Sequence, residues 1–177
     1  TLTSASNADQ FISVINGETG AERARMPLPP DYKSDGPMGG HLGIAYLDGV
    51  NPSIIAKMVN RKSDGGFNLM IVAYDFNGTS LTQRWVWKRA SFNAPNFHQI
   101  RIVDINQDGK DDIVDGGYVV NSNGTYLYAV PGVVHGDRFH VTDMDPDRPG
   151  LEGYGIQQAE GGNANQFPWY YYDATTG

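Results

Sequence analysis

The sequence predicts an all-β protein built from repeated four-stranded units, and three observations support this prediction. The chain of 177 residues contains 22 glycines and 10 prolines, which separate short runs rich in β-branched and aromatic residues. No long stretch places apolar residues at the 3.6-residue spacing of an amphipathic helix, so we expect little helix. A phrase made of a β-rich run and a tight polar turn recurs along the chain, which indicates an internal repeat.

The predicted strands are short and lie between turn signals. They are Phe11–Ile15, His41–Tyr46, Ser53–Met58, Leu69–Asp75, Gln83–Lys88, His98–Val103, Asp112–Val114, Gly117–Val120, Leu127–Val130, Phe139–Thr142, Gly153–Gln157 and Trp169–Tyr172. The segment Arg25–Gly40 is rich in proline and glycine, and we predict that it forms a long loop.

The recurring phrase ends each predicted unit with a polar turn. It occupies residues 14–20, 73–79, 119–125 and 171–177. Each turn contains Gly or Asn at positions where φ can be positive. Acidic or polar loops precede the last three turns, at Asp48–Ser53, Asp104–Asp112 and Asp143–Glu152.

The order of strand, acidic loop, strand, strand, turn and strand is typical of a four-stranded propeller blade, as is the spacing of about 40–50 residues. We therefore interpret residues 1–177 as a partial β-propeller. Residues 1–40 form the end of one blade, and further blades occupy roughly residues 41–90, 97–134 and 135–177. Propellers close with about four to eight blades, so the ring is incomplete here. A stack or sandwich of sheets is the alternative architecture.

Charge and composition exclude several classes of protein. The formal net charge of −7 disfavours nucleic-acid binding, which needs a basic surface. No apolar run approaches the length of a transmembrane helix, so we expect no membrane partner. The absence of cysteine excludes disulfides and cysteine-based metal sites. The chain starts at Thr1 without a positively charged segment before an apolar run, and we expect it to be processed or cut from something longer.

The loop from Asp104 to Asp112 carries the clearest indication of a calcium site. Its oxygen donors fall at positions 1, 3, 5, 7 and 9 of the calcium-loop pattern, and a glycine that permits a sharp turn occupies position 6. The donors are the side chains of Asp104, Asn106, Asp108 and Asp112 and the backbone carbonyl of Lys110. The flanking residues have strand composition, so the loop is not an EF-hand. A solvated turn rich in Asp and Asn is the alternative.

A second acidic loop has a similar but stiffer pattern. Acidic residues occupy its positions 1, 3, 5 and 10, and the residues are Asp143, Asp145, Asp147 and Glu152. Arg148 stands where the first loop has its glycine, and two prolines restrict the backbone. The loop is therefore interpreted either as a second calcium site or as a rigid loop in which Arg148 pairs with a carboxylate.

Three histidines near carboxylates suggest a third site. His135 and His140 lie five residues apart in the segment that also contains Asp137, and His98 lies upstream. Such a mixed histidine and carboxylate set can hold calcium or a transition metal. By spacing alone, packed surface histidines are an equally good interpretation.

The run from His135 to Glu152, together with residues 44–53 and 16–20, resembles family 11 of the polysaccharide lyases, the rhamnogalacturonan lyases. The resemblance covers nearly the whole chain and implies three to four consecutive four-stranded blades of an eight-bladed β-propeller with several structural Ca²⁺ ions. It also implies a central Ca²⁺ held by two histidines and two acidic residues. The matching positions are His98, His135, Asp137 and Gln158. The family has an acid where Gln158 stands, so the amide weakens the site or shifts a ligand to Glu160.

The resemblance implies a secreted, calcium-dependent enzyme that cleaves the rhamnogalacturonan I backbone of pectin by β-elimination at galacturonate. No residue of this chain is assigned as its catalytic base. The implied partners are the pectic polysaccharide and the remaining blades of the parent protein, or a second copy of the chain. Alone, the segment is expected to be inactive. The alternative is a non-catalytic, calcium-stabilised propeller used for glycan binding, adhesion or structural assembly.

Overall fold

The computed structural model describes residues 10–90, 92, 94–158 and 168–177. The strands in chain order are β1 Phe11–Ile15, β2 Glu22–Pro27, β3 Gly39–Ala45, β4 Ser53–Arg61, β5 Phe67–Phe76, β6 Leu81–Lys88, β7 Asn96–Phe97, β8 Arg101–Val103, β9 Asp112–Asp115, β10 Tyr118–Val120, β11 Tyr126–Ala129, β12 His135–Gly136, β13 Arg138–Thr142, β14 Glu152–Ile156 and β15 Trp169–Asp173. A short 3₁₀ helix, Lys33–Asp35, lies between β2 and β3. The all-β prediction is confirmed.

Most strands pair with their neighbours in the chain. Within the described residues, β3–β6 and β8–β11 form four-stranded antiparallel sheets, and β13–β15 form a three-stranded antiparallel sheet. Strands β1 and β2 form a hairpin, whereas β7 and β12 form a short parallel pair. The described sheets do not close into a ring, so the propeller and its number of blades remain predictions. No helix of the described residues is long and apolar enough to cross a membrane.

Three apolar clusters lie between successive sheets. One joins the β3–β6 sheet to the β8–β11 sheet through side chains such as Ile71 and Ile113. A second covers the opposite face of the β3–β6 sheet with the β1–β2 hairpin. The third joins the β8–β11 sheet to the β13–β15 sheet, with Phe97 and Phe139 among its members. The two four-stranded sheets are therefore apolar on both faces, which explains why their inner strands are nearly continuous apolar runs.

The recurring polar turns are fixed by side chains that accept hydrogen bonds from the backbone. Asn16 accepts from the N–H groups two and three residues ahead, and Asn77 and Asp173 do the same. Asn123 accepts from the N–H of Thr125. These Asx turns are the physical reason for the repeated sequence phrase.

The predicted long loop Arg25–Gly40 is wrong at both ends. Residues 25–27 belong to β2, and β3 begins at Gly39. Strand β2 alternates, with Arg23 and Arg25 exposed and Ala24 and Met26 partly buried. Only two apolar residues carry this alternation, next to a run rich in proline and glycine, which is too short a signal to predict a strand. The predicted strand His98–Val103 is also shorter, because only residues 101–103 join the sheet. The pair of β7 and β12 had no sequence signal, since each strand is two residues long.

Candidate metal centre

The parallel pair of β7 and β12 brings the two predicted histidine ligands together. His135 lies opposite Asn96, and Gly136 lies opposite Phe97. Directly after β7, the N–H of His98 donates to the carbonyl of Gly136 at 3.1 Å. The site therefore lies just ahead of the first strands of the β8–β11 and β13–β15 sheets, which begin at Arg101 and Arg138.

A third backbone segment joins this pair. The N–H of Gln158, just after β14, donates to the carbonyl of His135 at 3.0 Å. Gln158 therefore lies beside the histidine although the two are far apart in sequence. All four side chains that the family resemblance selected are brought together in space.

Three of these side chains form a compact cluster. The Nε2 atoms of His98 and His135 are 3.2 Å apart, and the His98 Nε2 lies 3.7 Å from Oδ1 of Asp137. The possible ligand atoms of the three residues all lie within 4.8 Å of one another. Elsewhere in the described ranges, no further group of three His, Asp or Glu side chains meets the same distance limit.

The surroundings of His135 fix which of its nitrogens faces the cluster. Its side chain is buried, and its Nδ1 is hydrogen-bonded to the carbonyl of Asn96. A carbonyl only accepts, so Nδ1 carries a proton, and in the neutral imidazole Nε2 then presents a lone pair towards His98. Such a hydrogen bond from a histidine to a carbonyl is typical behind a metal-binding imidazole.

Gln158 takes a different part in the cluster from an acidic residue. Its Nε2 donates a hydrogen bond to Oδ2 of Asp137. The carboxylate of Asp137 therefore has one oxygen engaged by the amide and the other near His98. The proposed substitute ligand Glu160 lies outside the described residues.

His41 is a neighbour of the cluster that sequence reasoning missed. Burial lowers the pKa of His41, and the nearby Lys57 and His98 lower it further. His41 and His98 line a shared cavity of about 310 Å³. Strand β3 places His41 there through the packing of two sheets, and no local motif in the sequence indicates this contact.

The loop of residues 104–112 folds around its own backbone. The two carboxylate oxygens of Asp104 accept hydrogen bonds from the N–H groups of Asp108 at 3.0 Å and Gly109 at 2.8 Å. Asn106 also accepts from Asp108, whose own carboxylate accepts from the N–H of Lys110 at 3.0 Å. These contacts fit the alternative of a turn rich in Asp and Asn, and they leave further lone pairs on the same oxygens.

Asp112 is the buried member of this loop. It is fully buried and accepts hydrogen bonds from the N–H groups of Ile105 and Ser122. Burial raises the pKa of Asp112 to about 6, and the negative charges of Asp108 and Asp104 also raise it. A divalent cation among these carboxylates would remove that repulsion. Calcium in this loop remains a prediction.

The second acidic loop is anchored by Glu152. This side chain is buried and accepts hydrogen bonds from the N–H groups of Met144 at 2.9 Å and Asp145 at 3.1 Å. Arg148 pairs with Asp173 at 2.9 Å. The contact that the rigid-loop alternative required is therefore present. Calcium at Asp143, Asp145, Asp147 and Glu152 remains a prediction.

The fold and the cluster together define an all-β protein of stacked sheets with a mixed histidine and carboxylate centre. Comparison with known proteins is more specific. Residues 6–177 match the family described as rhamnogalacturonan lyase family 11, C-terminal domain. The chain belongs to this family.

Two curated relatives come from Bacillus subtilis (strain 168). Rhamnogalacturonan exolyase YesX is 32% identical over 84% of this chain and 26% of its own length. Rhamnogalacturonan endolyase YesW is also 32% identical, over 95% of this chain and 28% of its own length. The present chain therefore spans less than a third of either relative.

Two solved structures of rhamnogalacturonan lyases also resemble this chain. The crystal structure of YesW matches with a TM-score of 0.77 and 30% identity, over 94% of this chain and 29% of the other. The Bacillus licheniformis rhamnogalacturonan lyase PL11 matches with a TM-score of 0.78 and 29% identity, over the same share of each chain.

Proposed function

We propose that this chain is part of a secreted, calcium-dependent rhamnogalacturonan lyase. The enzyme would cleave the rhamnogalacturonan I backbone of pectin by β-elimination at galacturonate. The observation that carries the proposal is the convergence of His98, His135, Asp137 and Gln158 in a chain that belongs to a family of rhamnogalacturonan lyases. The sheets would be consecutive blades of a propeller completed by other parts of the protein.

The donor set fits a divalent cation. Two imidazole nitrogens and the Asp137 carboxylate supply three ligands, and the amide oxygen of Gln158 would supply a fourth with the amide reversed from its present contact with Asp137. Ca²⁺ prefers six to eight oxygen ligands, whereas imidazole is also a good ligand for transition metals. We propose Ca²⁺, with water and substrate oxygens completing its shell. Mn²⁺ and Zn²⁺ are the competitors to include in any binding experiment.

The proposed chemistry requires the C5 proton of galacturonate to become acidic. A divalent cation bound at the centre would neutralise the substrate carboxylate and stabilise the enolate-like transition state. A base takes the C5 proton, the C5–H electron pair forms the C4–C5 double bond, and the C4–O bond breaks with protonation of the leaving oxygen. The residues of this chain hold and orient the centre, with His135 kept in one tautomer by Asn96.

The test uses the full-length protein with rhamnogalacturonan I and added Ca²⁺. We expect a rise in ultraviolet absorbance from the unsaturated uronate. Asp137→Asn and His98→Ala should reduce the rate about tenfold or more, because they remove ligands of the centre. Asp64→Asn is the control, since Asp64 lies in an exposed turn and bonds only to the N–H of Gly66 among the described contacts. The absence of any unsaturated product would overturn the enzymatic proposal.

A second candidate is a propeller that binds glycans, mediates adhesion or supports assembly without catalysis. The amide of Gln158 favours it, because it supplies no negative charge and occupies one oxygen of Asp137. Binding of rhamnogalacturonan without unsaturated product would support this candidate. Gln158→Glu should then raise the cation affinity, since it restores a carboxylate at the centre.

The isolated segment is proposed to be inactive and to associate with the remaining blades or with another copy of itself. Strands β3 and β15 expose large apolar side chains, including Leu42, Ile44, Trp169 and Tyr171. Apolar patches of this kind mark surfaces that pack against other protein. Analytical ultracentrifugation tests the proposal, and a stable monomer at high concentration would contradict it.

A further inference from the structure

A buried ion pair lies directly behind the candidate metal centre. Lys57, in the middle of β4, has its Nζ 2.8 Å from Oδ2 of Asp115 at the end of β9. Both side chains are almost completely removed from solvent. The hydroxyl of Tyr118 donates to the same carboxylate at 3.0 Å. The pair crosses the interface between two sheets that is otherwise filled by apolar side chains.

Stability alone does not explain a charged pair at this position. Replacing a buried ion pair by well-packed apolar residues is often neutral or stabilising, because two charges must be desolvated. Both members of the pair also form hydrogen bonds with the backbone of Phe97. Asp115 Oδ1 accepts from the N–H of Phe97 at 3.1 Å, and Lys57 Nζ donates to the carbonyl of Phe97.

The two edges of β7 are therefore held in different ways. On one edge, the N–H groups of Asn96 and His98 donate to Val134 and Gly136 on the β12 side. On the other edge, the N–H and carbonyl of Phe97 meet side chains of the ion pair. Since successive residues of a strand direct their polar groups to opposite edges, the ion pair replaces a missing neighbouring strand.

Phe97 is the residue between the two groups that define the centre. The carbonyl of Asn96 holds Nδ1 of His135, and His98 is itself a proposed ligand. The Phe97 ring is almost fully buried and lies so close to Gly116 and Gly136 that a Cβ on either glycine would overlap it. Rotation of the peptide groups around Phe97 would displace both imidazoles.

We propose that Lys57 and Asp115 are positioning residues of the cation centre, acting through the backbone of Phe97. This inference rests on the proposed function of that centre. Loss of the pair would leave the sheets packed but would release Asn96 and His98. The cation affinity would then fall, and His135 would lose its fixed tautomer.

The test compares the full chain with the double variant Lys57→Met plus Asp115→Leu, which replaces both charges by apolar groups. Calcium affinity is measured by calorimetry, and the tautomer of His135 by ¹⁵N nuclear magnetic resonance. We expect an affinity loss of about 10–100-fold, the usual effect of removing a group that orients metal ligands. We also expect the Nδ1–H form of His135 to become a mixture of tautomers.

Met70→Ala is the matched control. Met70 is fully buried, but it packs in the cluster on the far face of the same sheet. This variant tests loss of stability alone and should change the calcium affinity less than twofold. If the double variant does not fold, Asp115→Asn replaces it, because it keeps the shape of the side chain while weakening the contacts to Lys57 and Phe97. The expected result is then a several-fold loss of affinity.

An affinity and a His135 tautomer that match the Met70→Ala control would overturn the positioning role. Failure of the unmodified chain to bind any divalent cation would instead overturn the proposed centre. In that case the tautomer measurement still decides whether the ion pair orients His135. The two proposals therefore fail in distinguishable ways.

Discussion

Gly136→Ala tests how tightly the backbone around the centre is packed. A Cβ at this position would lie 2.3 Å from the carbonyl oxygen of Ile156 and 2.4 Å from Cε1 of Phe97. The Ile156 oxygen belongs to β14, where Ile156 is paired with Arg138, so it cannot retreat without disturbing the sheet. The Phe97 ring is enclosed by edge-on contacts to Phe139 and Tyr170.

This lack of space predicts that Gly136→Ala is less stable than the unmodified protein. Overpacking a core usually lowers the free energy of unfolding by about 1–3 kcal/mol. Because the added Cβ meets a rigid backbone atom, we expect Gly136→Ala to lower it by about 3 kcal/mol. For a domain of this size, such a loss lowers Tm by about 6–12 °C. Because Gly136 lies between His135 and Asp137, calcium affinity should fall as well.

Differential scanning calorimetry in calcium-free buffer measures the loss. Gly17→Ala is the control, because nothing lies within 4 Å of a Cβ there. Its φ does not lie in the left-handed region either, so its Tm should stay the same or rise slightly. Equal Tm values for the two variants would refute the reasoning.

Three further predictions concern charged groups. Lys57→Met alone should lower the free energy of unfolding by about 3–5 kcal/mol, because it leaves Asp115 buried and unpaired; chemical denaturation should show a smaller loss when Asp115→Leu is added. Arg148→Ala should cost less than about 1 kcal/mol, since its pair with Asp173 is partly exposed; a larger loss would show that this pair anchors the loop. Asp112 has its pKa raised to about 6, so its protonation favours the folded state; in calcium-free buffer, stability relative to Asp112→Asn should increase by about 2 kcal/mol between pH 7 and pH 4.

The sequence predicted the inner strands of the sheets well, because their apolar runs and polar turns are local signals. Strand β4 and β5 were found, although both extend further than predicted, to Arg61 and from Phe67 to Phe76. Strand β2 was missed because only Ala24 and Met26 carry its apolar alternation. Pairing between short segments was also invisible, since the contact of His135 with Asn96 depends on the stacking of whole sheets.

In the candidate centre, too, some residues were predicted from the sequence and others were identified only by the fold. The family resemblance selected His98, His135, Asp137 and Gln158, whereas spacing alone left the histidines undecided. Neither indicated Lys57, which occupies a predicted strand and has no neighbouring acid in sequence. Its partner Asp115 comes from another sheet. Groups that orient a site through the backbone lack a local pattern, so only the assembled fold identifies them.

The cations nearest to the carboxylates around the three acidic loops indicate which loop has most to gain from a cation. In the β3–β6 sheet, Asp75 is paired with Arg84 at 3.2 Å, and in the β13–β15 sheet, Asp173 is paired with Arg148 at 2.9 Å. In the β8–β11 sheet, Asp112 is fully buried and forms no salt bridge with the described residues. An arginine already supplies positive charge beside the other two loops, whereas in the loop of residues 104–112 the exposed Lys110 lies 4.0 Å from Asp108 and forms no salt bridge with Asp112. The loop of residues 104–112 should therefore show the largest stabilisation on calcium addition, and Asp112→Asn should remove more of it than any substitution of Asp75 or Asp173.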